Sequence, residues 1–123
     1  MAETLSAFNL QRWIHEHRDG LKPPVGAERV WKDSQFLIMI IGGPNARRDF
    51  HVDPSDEFFY QLEGDIVLEY IDGTGKRRAA TIREGDVLLM PANTPHSPQR
   101  PANTVGLVVE RVRGADEREG YDE

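Results

Sequence analysis

The sequence predicts an all-β fold, a small sandwich or barrel, preceded by one short helix. From Val30 onward the apolar residues follow a period of two, and turn residues separate roughly seven short segments at regular spacing. The helix–strand alternation that is typical of a parallel α/β sheet is absent from this pattern. At 123 residues the chain is long enough for a single domain with one hydrophobic core.

The first predicted element is a helix over residues 5–18 that packs on the outside of the β domain. Ser6 is the expected N-cap and Gly20 the expected stop, because these residue types favour helix ends. The helix carries its apolar residues at partly helical spacing: Leu5, Phe8, Trp13 and Ile14. The following segment, "LKPPVGAERVW", is expected to interrupt regular structure because two prolines remove backbone donors.

The remaining segments are predicted as strands and turns. "SQFLIMIIGG" is a β run, "RRDFHV" a short alternating segment, and "EFFYQLEGDIVLEYID" two strands joined near Gly64. "GTG" predicts a hairpin that leads into "KRRAATI". "REGDVLLMPANTPHSPQRPANT" predicts a strand followed by a proline-rich loop, and "VGLVVERVR" the last strand. Residues 1–113 are predicted to form the domain, and residues 114–123 a charged, flexible tail.

Composition restricts the classes of function. The net charge of -6 opposes binding to nucleic-acid phosphates. The sequence contains no cysteine, which excludes disulfides, thiolate nucleophiles and cysteine metal sites. No run approaches the roughly 18 apolar residues of a membrane span, and the N-terminal residues lack an apolar signal core. A cytoplasmic protein that binds neither nucleic acid nor membrane is the default expectation.

His51, Glu57 and His96 are the candidate metal ligands. Alternate residues of a strand share a face, so an inward-facing Glu57 would place a charge in the interior of a small barrel. Such a charge is costly unless it is paired, and a divalent cation is a natural partner. Two imidazoles and one carboxylate suit the facial triad of non-heme Fe(II) oxygenases.

Each of these residues also has an ordinary structural interpretation. A histidine before a turn is more often hydrogen-bonded than metal-bound, and a glutamate that begins a strand usually faces solvent. His15 and His17, two positions apart on the predicted helix, are expected to be surface or packing residues. Only the joint spacing of the three candidates favours a metal site.

That spacing resembles the two motifs of the cupin superfamily. The first motif has histidines two positions apart, then a glutamate and a glycine, and here it is matched by His51, Asp53, Glu57 and Gly64. Asp53 takes the slot of the second histidine, and Asn45 stands where an upstream glycine is usual. The second motif is matched by Gly85, Pro91, Asn93 and His96. The resemblance implies a single-domain cupin, a small β-barrel or jelly roll, with a two-histidine, one-glutamate site.

Longer phrases resemble the 3-hydroxyanthranilate 3,4-dioxygenase family from about residue 8 to residue 113, among them "GGPNARRDFH", "DPSDEFFYQLEG" and "EGDVLLMPANTPHSPQRP". The resemblance implies Fe(II) bound by His51, Glu57 and His96. It also implies that dioxygen opens a small aromatic substrate to 2-amino-3-carboxymuconate semialdehyde, the precursor of quinolinate. A homodimer is the usual assembly of the family.

The same resemblance suggests which residues contact the substrate. Arg47 and Arg100 would orient the substrate carboxylate, and Glu110 would accept a proton from its hydroxyl or amine. Phe59, Pro98 and Gln61 would form pocket walls, although a core position is the commoner fate of an inward aromatic such as Phe59.

Three departures from the family pattern leave the exact ring open. Ala27 stands where asparagine is expected, Ala46 stands where histidine is common, and the two CxxC pairs of many bacterial members are absent. A related ortho-aminophenol carboxylate is therefore a possible substrate. The alternatives are a metal-binding cupin of another class, such as an isomerase or small-molecule sensor, and a non-catalytic cupin module.

Overall fold

The computed structural model describes residues 4–23, 26–45 and 48–112. These ranges contain one helix, α1 (Leu10–His17), which continues into a 3-10 turn (Arg18–Leu21). They also contain eight strands: β1 (Ala27–Arg29), β2 (Phe36–Gly42), β3 (Glu57–Glu63), β4 (Ile66–Ile71), β5 (Arg77–Ile82), β6 (Val87–Met90), β7 (His96–Gln99) and β8 (Val105–Arg111). The predicted all-β class with one short N-terminal helix is confirmed. The predicted tail, residues 114–123, lies outside the described residues.

The strands form two antiparallel sheets that enclose a common core. The larger sheet has the order β1-β2-β8-β3-β6, and the smaller sheet has the order β5-β4-β7. The larger sheet contributes Phe59, Met90 and Val108 to the core, while β4 and β5 of the smaller sheet contribute Ile66, Leu68 and Ile82. Alternate residues of each strand thus face inward, as the period of two predicts. The space between the sheets is where functional side chains are held.

The helix begins later than the sequence predicted. Asn9, not Ser6, is the N-cap, because its side-chain oxygen accepts a hydrogen bond from the backbone N–H of Arg12 at 2.8 Å. Gly20 lies inside the 3-10 turn and does not end the element. The predicted start at Leu5 was wrong, since that side chain is exposed and precedes the first helical turn.

The helix covers the outer face of the larger sheet, as predicted for an external element. Ile14 and Leu21 pack against Ile40 of β2 and Val105 of β8. Arg18 adds two hydrogen bonds, of 3.0 and 3.1 Å, to the carboxylate of Glu63 in β3, and this pairing lowers the pKa of Glu63. Both side chains are more than a third exposed, so the ion pair contributes less than about 1 kcal/mol beside the apolar contacts.

Three strand predictions differ from the structure. The described part of "RRDFHV" forms no strand, and only His51 joins the smaller sheet, through a single bridge to His96. Conversely, "LKPPVGAERVW" contains β1, and the proline-rich loop contains β7. β7 is an edge strand, where Pro98 is tolerated because no second neighbouring strand requires its missing N–H. These pairings depend on distant partners, so local residue pattern does not indicate them.

Candidate metal and substrate site

A cavity of about 490 Å³ lies on the inner side of the larger sheet and contains most of the predicted site residues. Its polar lining comes from the predicted ligands and their neighbours: His51, Asp53, Glu57, His96, Arg100 and Glu110. Its apolar lining includes Ala27, Met39, Ile41 and Pro98. Ala27, which stands where the family resemblance predicts asparagine, is thus part of this wall. Met39 and Ile41 were not predicted as wall residues, although their inward parity on β2 indicates it.

His96 and Glu57 are in contact, which is the central geometric feature of the site. The Nε2 atom of His96 lies 3.4 Å from a carboxylate oxygen of Glu57, and both side chains are largely buried. The Nδ1 atom of His96 is 2.9 Å from the carbonyl oxygen of Thr94. With the proton on Nδ1, that carbonyl is satisfied and Nε2 is the ring nitrogen that can bind a metal, as in many metal-binding histidines.

His51 is held beside His96 by the backbone. The two residues exchange N–H···O bonds of 2.8 and 2.9 Å, and their ring centroids are 6.2 Å apart. The His51 ring lies nearer the rim of the cavity, where its Nε2 atom is 3.8 Å from a carboxylate oxygen of Asp49. The fold therefore brings His51, Glu57 and His96 into one cavity from three separate segments.

Three carboxylates form a tighter group than the histidine-containing triad. Ligand oxygens of Asp53, Glu57 and Glu110 all lie within 4.8 Å of one another, the group of potential metal ligands found within the described ranges. Glu57 and Glu110 are paired across β3 and β8, so their side chains share the inner face. Like charges this close repel, and a bound cation would relieve the repulsion. The sequence interpretation had treated Asp53 only as a replaced histidine.

Arg100 is buried beside Asn45 and Gly106, for which the sequence predicted no role at the site. Its backbone N–H donates to the side chain of Asn45 at 2.8 Å, and the Asn45 amide donates to the carbonyl oxygen of Pro98 at 2.9 Å. Gly106 leaves room for the guanidinium, because a Cβ atom there would lie 2.9 Å from Arg100 Nη1 and 2.7 Å from Gln61 Oε1. Asn45 thus fixes the backbone of Arg100, and Gly106 provides the space that its guanidinium occupies.

The remaining predicted substrate contacts have different positions. Pro98 lines the cavity, as expected. Phe59 is 2% exposed within the core cluster and is not among the lining residues, which favours the core alternative for this side chain. Arg47 and Ala46 lie outside the described residues.

The donor set fits an iron site. Histidine nitrogen and carboxylate oxygen are the ligand types used at non-heme Fe(II) centres, and the buried His96–Glu57 contact would supply one of each at a common point. His51 would add a second imidazole from the rim of the cavity. Arg100, across the same cavity, provides a cation suited to an anionic ligand.

Comparison with known proteins identifies a family. A model described as 3-hydroxyanthranilic acid dioxygenase matches residues 1–122. A 3-hydroxyanthranilate 3,4-dioxygenase of Bacillus thuringiensis (strain Al Hakam) is 56% identical over 121 residues, which cover 98% of this chain and 68% of that protein. The enzyme of the same name from Ruegeria pomeroyi is 53% identical over 110 residues, covering 89% of this chain and 61% of its own.

Solved structures place the fold among the cupins. Hydroquinone 1,2-dioxygenase in complex with Fe3+ matches with a TM-score of 0.68 at 24% identity, covering 92% of this chain and 36% of that one. A cupin superfamily protein from Desulfitobacterium hafniense matches with a TM-score of 0.59 at 15% identity, covering 71% of this chain and 76% of that one.

The described residues contain no helix that could span a membrane.

Proposed function

The chain belongs to the 3-hydroxyanthranilic acid dioxygenase family, and from this premise we propose that it opens the ring of 3-hydroxyanthranilate or a closely related ortho-aminophenol carboxylate. The product would be 2-amino-3-carboxymuconate semialdehyde, which closes to quinolinate. The observation that carries this proposal is the buried His96–Glu57 contact in a cavity that also contains Arg100 and Glu110. A metal ligand pair, a cation and a further carboxylate are the groups that such a reaction requires.

Iron would be held by His51, Glu57 and His96. Fe(II) is the proposed oxidation state, because this ligand set suits that ion. When bound, iron supplies the activation of dioxygen by which both oxygen atoms enter the ring. The carbonyl oxygen of Thr94 maintains the tautomer in which His96 presents Nε2.

Protein groups around the metal would bind and orient the aromatic acid. Arg100 would hold the carboxylate by charge-assisted hydrogen bonds, and Arg47 is proposed for the same role. Glu110 would accept the proton of the substrate hydroxyl, a role supported by its position opposite Glu57, a proposed ligand, on the neighbouring strand. Pro98 and the apolar residues of the wall would exclude water from the ring.

Assembly and location remain predictions. A homodimer is expected from the family resemblance, and a cytoplasmic location is expected from the composition. A place in the kynurenine pathway, in the biosynthesis of quinolinate, follows in the same way from the proposed substrate.

Oxygen consumption tests the proposed function directly. Protein reconstituted anaerobically with Fe(II) should consume dioxygen when 3-hydroxyanthranilate is added, with the appearance of a ring-opened near-ultraviolet chromophore. Protein loaded with Zn2+, which is not redox-active, is the matched control and should consume none. Absence of uptake by fully iron-loaded protein, with this substrate and with related ortho-aminophenol carboxylates, would refute the proposal.

Gly106→Ala should weaken binding of the substrate carboxylate. The added Cβ would lie within 3.0 Å of both Arg100 Nη1 and Gln61 Oε1, and both side chains are buried, so the guanidinium must shift. Loss of one well-aligned charged hydrogen bond predicts a rise in KM of roughly tenfold, with iron content retained. Steady-state kinetics measure this, and Gly73→Ala is the control because nothing lies within 4 Å of its Cβ position. An unchanged KM would contradict the role given to Gly106.

A further inference from the structure

A second cavity, which we call the inter-sheet cleft, lies between the two sheets and has no role in the chemistry described above. Its volume is about 320 Å³. The inward-facing residues of β4, β5 and β6 that line it are Leu68, Tyr70, Ala80, Leu88 and Met90, and Ile71, Gly73, Leu89 and Pro91 line it as well. Asp72 and Thr94 also border it, but the side chains from the three strands are predominantly apolar. The cleft is therefore suited to a small apolar ligand and unsuited to an anion.

The inter-sheet cleft and the substrate cavity are adjacent across neighbouring strands. Three pairs of directly opposed residues on neighbouring antiparallel strands join the two spaces. The first residue of each pair lines the substrate cavity and the second lines the cleft: Glu57 with Met90, His96 with Tyr70, and Pro98 with Leu68. Directly opposed residues project to the same side of a sheet, with Cβ atoms about 4.5–5.5 Å apart. The cleft thus reaches the residues next to the two buried iron ligands proposed above.

The two spaces differ in the molecules they can accept. The substrate cavity presents Arg100, Glu57 and Glu110, so it favours a polar, carboxylate-bearing ring. Apolar protein cavities take up uncharged guests such as xenon, and dioxygen is also small and apolar. Met90, at the boundary beside Glu57, has an unbranched side chain that adapts to its surroundings. Dioxygen could therefore pass from the cleft to the substrate cavity, whereas the aromatic acid could not.

We propose that the inter-sheet cleft is a binding and entry site for dioxygen, separate from the opening used by the aromatic substrate. This proposal rests on the proposed function, because dioxygen is the second substrate of that reaction. Separate entry would allow dioxygen to reach the metal after the aromatic acid has filled the larger cavity.

Xenon binding tests the cleft without any need for catalysis. In the metal-free protein under xenon pressure, saturable NMR shifts are expected at the methyl groups of Leu88 and Met90. The methyl groups of Val87 are the matched control, because Val87 is an exposed residue of β6 that does not line the cleft. No saturable shift at Leu88 and Met90 would overturn the proposal.

Filling the cleft tests entry of dioxygen. Ala80→Phe should raise KM for dioxygen several-fold, while KM for the aromatic acid and the iron content stay unchanged. Ala79→Phe is the control, since Ala79 is the exposed neighbour of Ala80 on β5 and faces the opposite way. If Ala80→Phe fails to fold, Ala80→Val makes a smaller change, and xenon should raise the apparent KM for dioxygen in the unmodified protein.

The possible failures are distinguishable. Suppose that Ala80→Phe folds, no longer binds xenon, and still consumes oxygen with an unchanged KM for dioxygen. That result would overturn the entry route and leave the proposed function intact. Xenon binding without oxygen consumption by the iron-loaded protein would instead overturn the proposed function, and with it the assignment of dioxygen to the cleft.

Discussion

Glu57→Gln is expected to abolish stoichiometric iron binding while leaving the chain folded. The substitution keeps the size of the side chain but removes the charge that would bind the cation in the largely buried contact with His96. Even partners that only orient a metal ligand contribute about 10- to 100-fold to metal affinity, so loss of the ligand itself should exceed about 100-fold. Iron content after anaerobic reconstitution and desalting measures the effect.

The stability of the metal-free variant shows whether a loss of iron comes from the loss of a ligand or from unfolding. Carboxylate oxygens of Asp53, Glu57 and Glu110 lie within 4.8 Å of one another, so an uncharged amide at position 57 should reduce their repulsion. The melting temperature of metal-free Glu57→Gln should therefore equal or exceed that of the unmodified protein. Glu16→Gln on the exposed side of α1 is the matched control and should retain iron. Stoichiometric iron in folded Glu57→Gln would refute the assignment of this ligand.

Arg100→Lys is expected to lower kcat/KM for 3-hydroxyanthranilate by roughly 10- to 100-fold, mainly through KM. The ammonium keeps the charge but cannot form the two parallel hydrogen bonds that a guanidinium makes with a carboxylate. Hydrogen bonds to charged groups contribute about 1.5–3 kcal/mol, and each 1.4 kcal/mol corresponds to about tenfold. Arg100 is 4% exposed, so water would screen this interaction little.

A substrate without the carboxylate provides the decisive comparison. The unmodified protein should strongly prefer 3-hydroxyanthranilate to 2-aminophenol, and Arg100→Lys should lose most of that preference because only the carboxylated substrate uses the guanidinium. Arg83→Lys, at an exposed position, is the matched control and should leave both substrates unaffected. An undiminished preference in Arg100→Lys would show that another group binds the carboxylate.

The candidate ligand set could be proposed from sequence because the evidence for it is local. His51 and Glu57 lie within one short motif, and His96 lies in a second motif whose glycine and proline have regular spacing. Family membership, which the comparisons show, supports the function that those motifs imply. The roles of the individual residues remain predictions, to be tested by the substitutions described above.

Other parts of the site could not be predicted from local pattern. The clustering of Asp53 with Glu110 depends on the turn before β3 and on the pairing of β3 with β8. The support that Asn45 gives to Arg100 joins residues 55 positions apart in the chain. Phe59 faces the same side of β3 as Glu57, but it lies deeper in the core and does not line the cavity. Strand alternation predicts the side that a residue faces, not its depth.

The all-β class, most strand positions and the candidate ligand set follow from the sequence alone, because alternation and motif spacing are properties of neighbouring residues. The tertiary structure was needed to show that the proline-rich loop contains β7, that Gly106 makes room for Arg100, and that the inter-sheet cleft lies beside the proposed ligands. Each of these features requires two distant segments to meet. Their contact depends on the packing of both sheets, which no single segment of the sequence specifies.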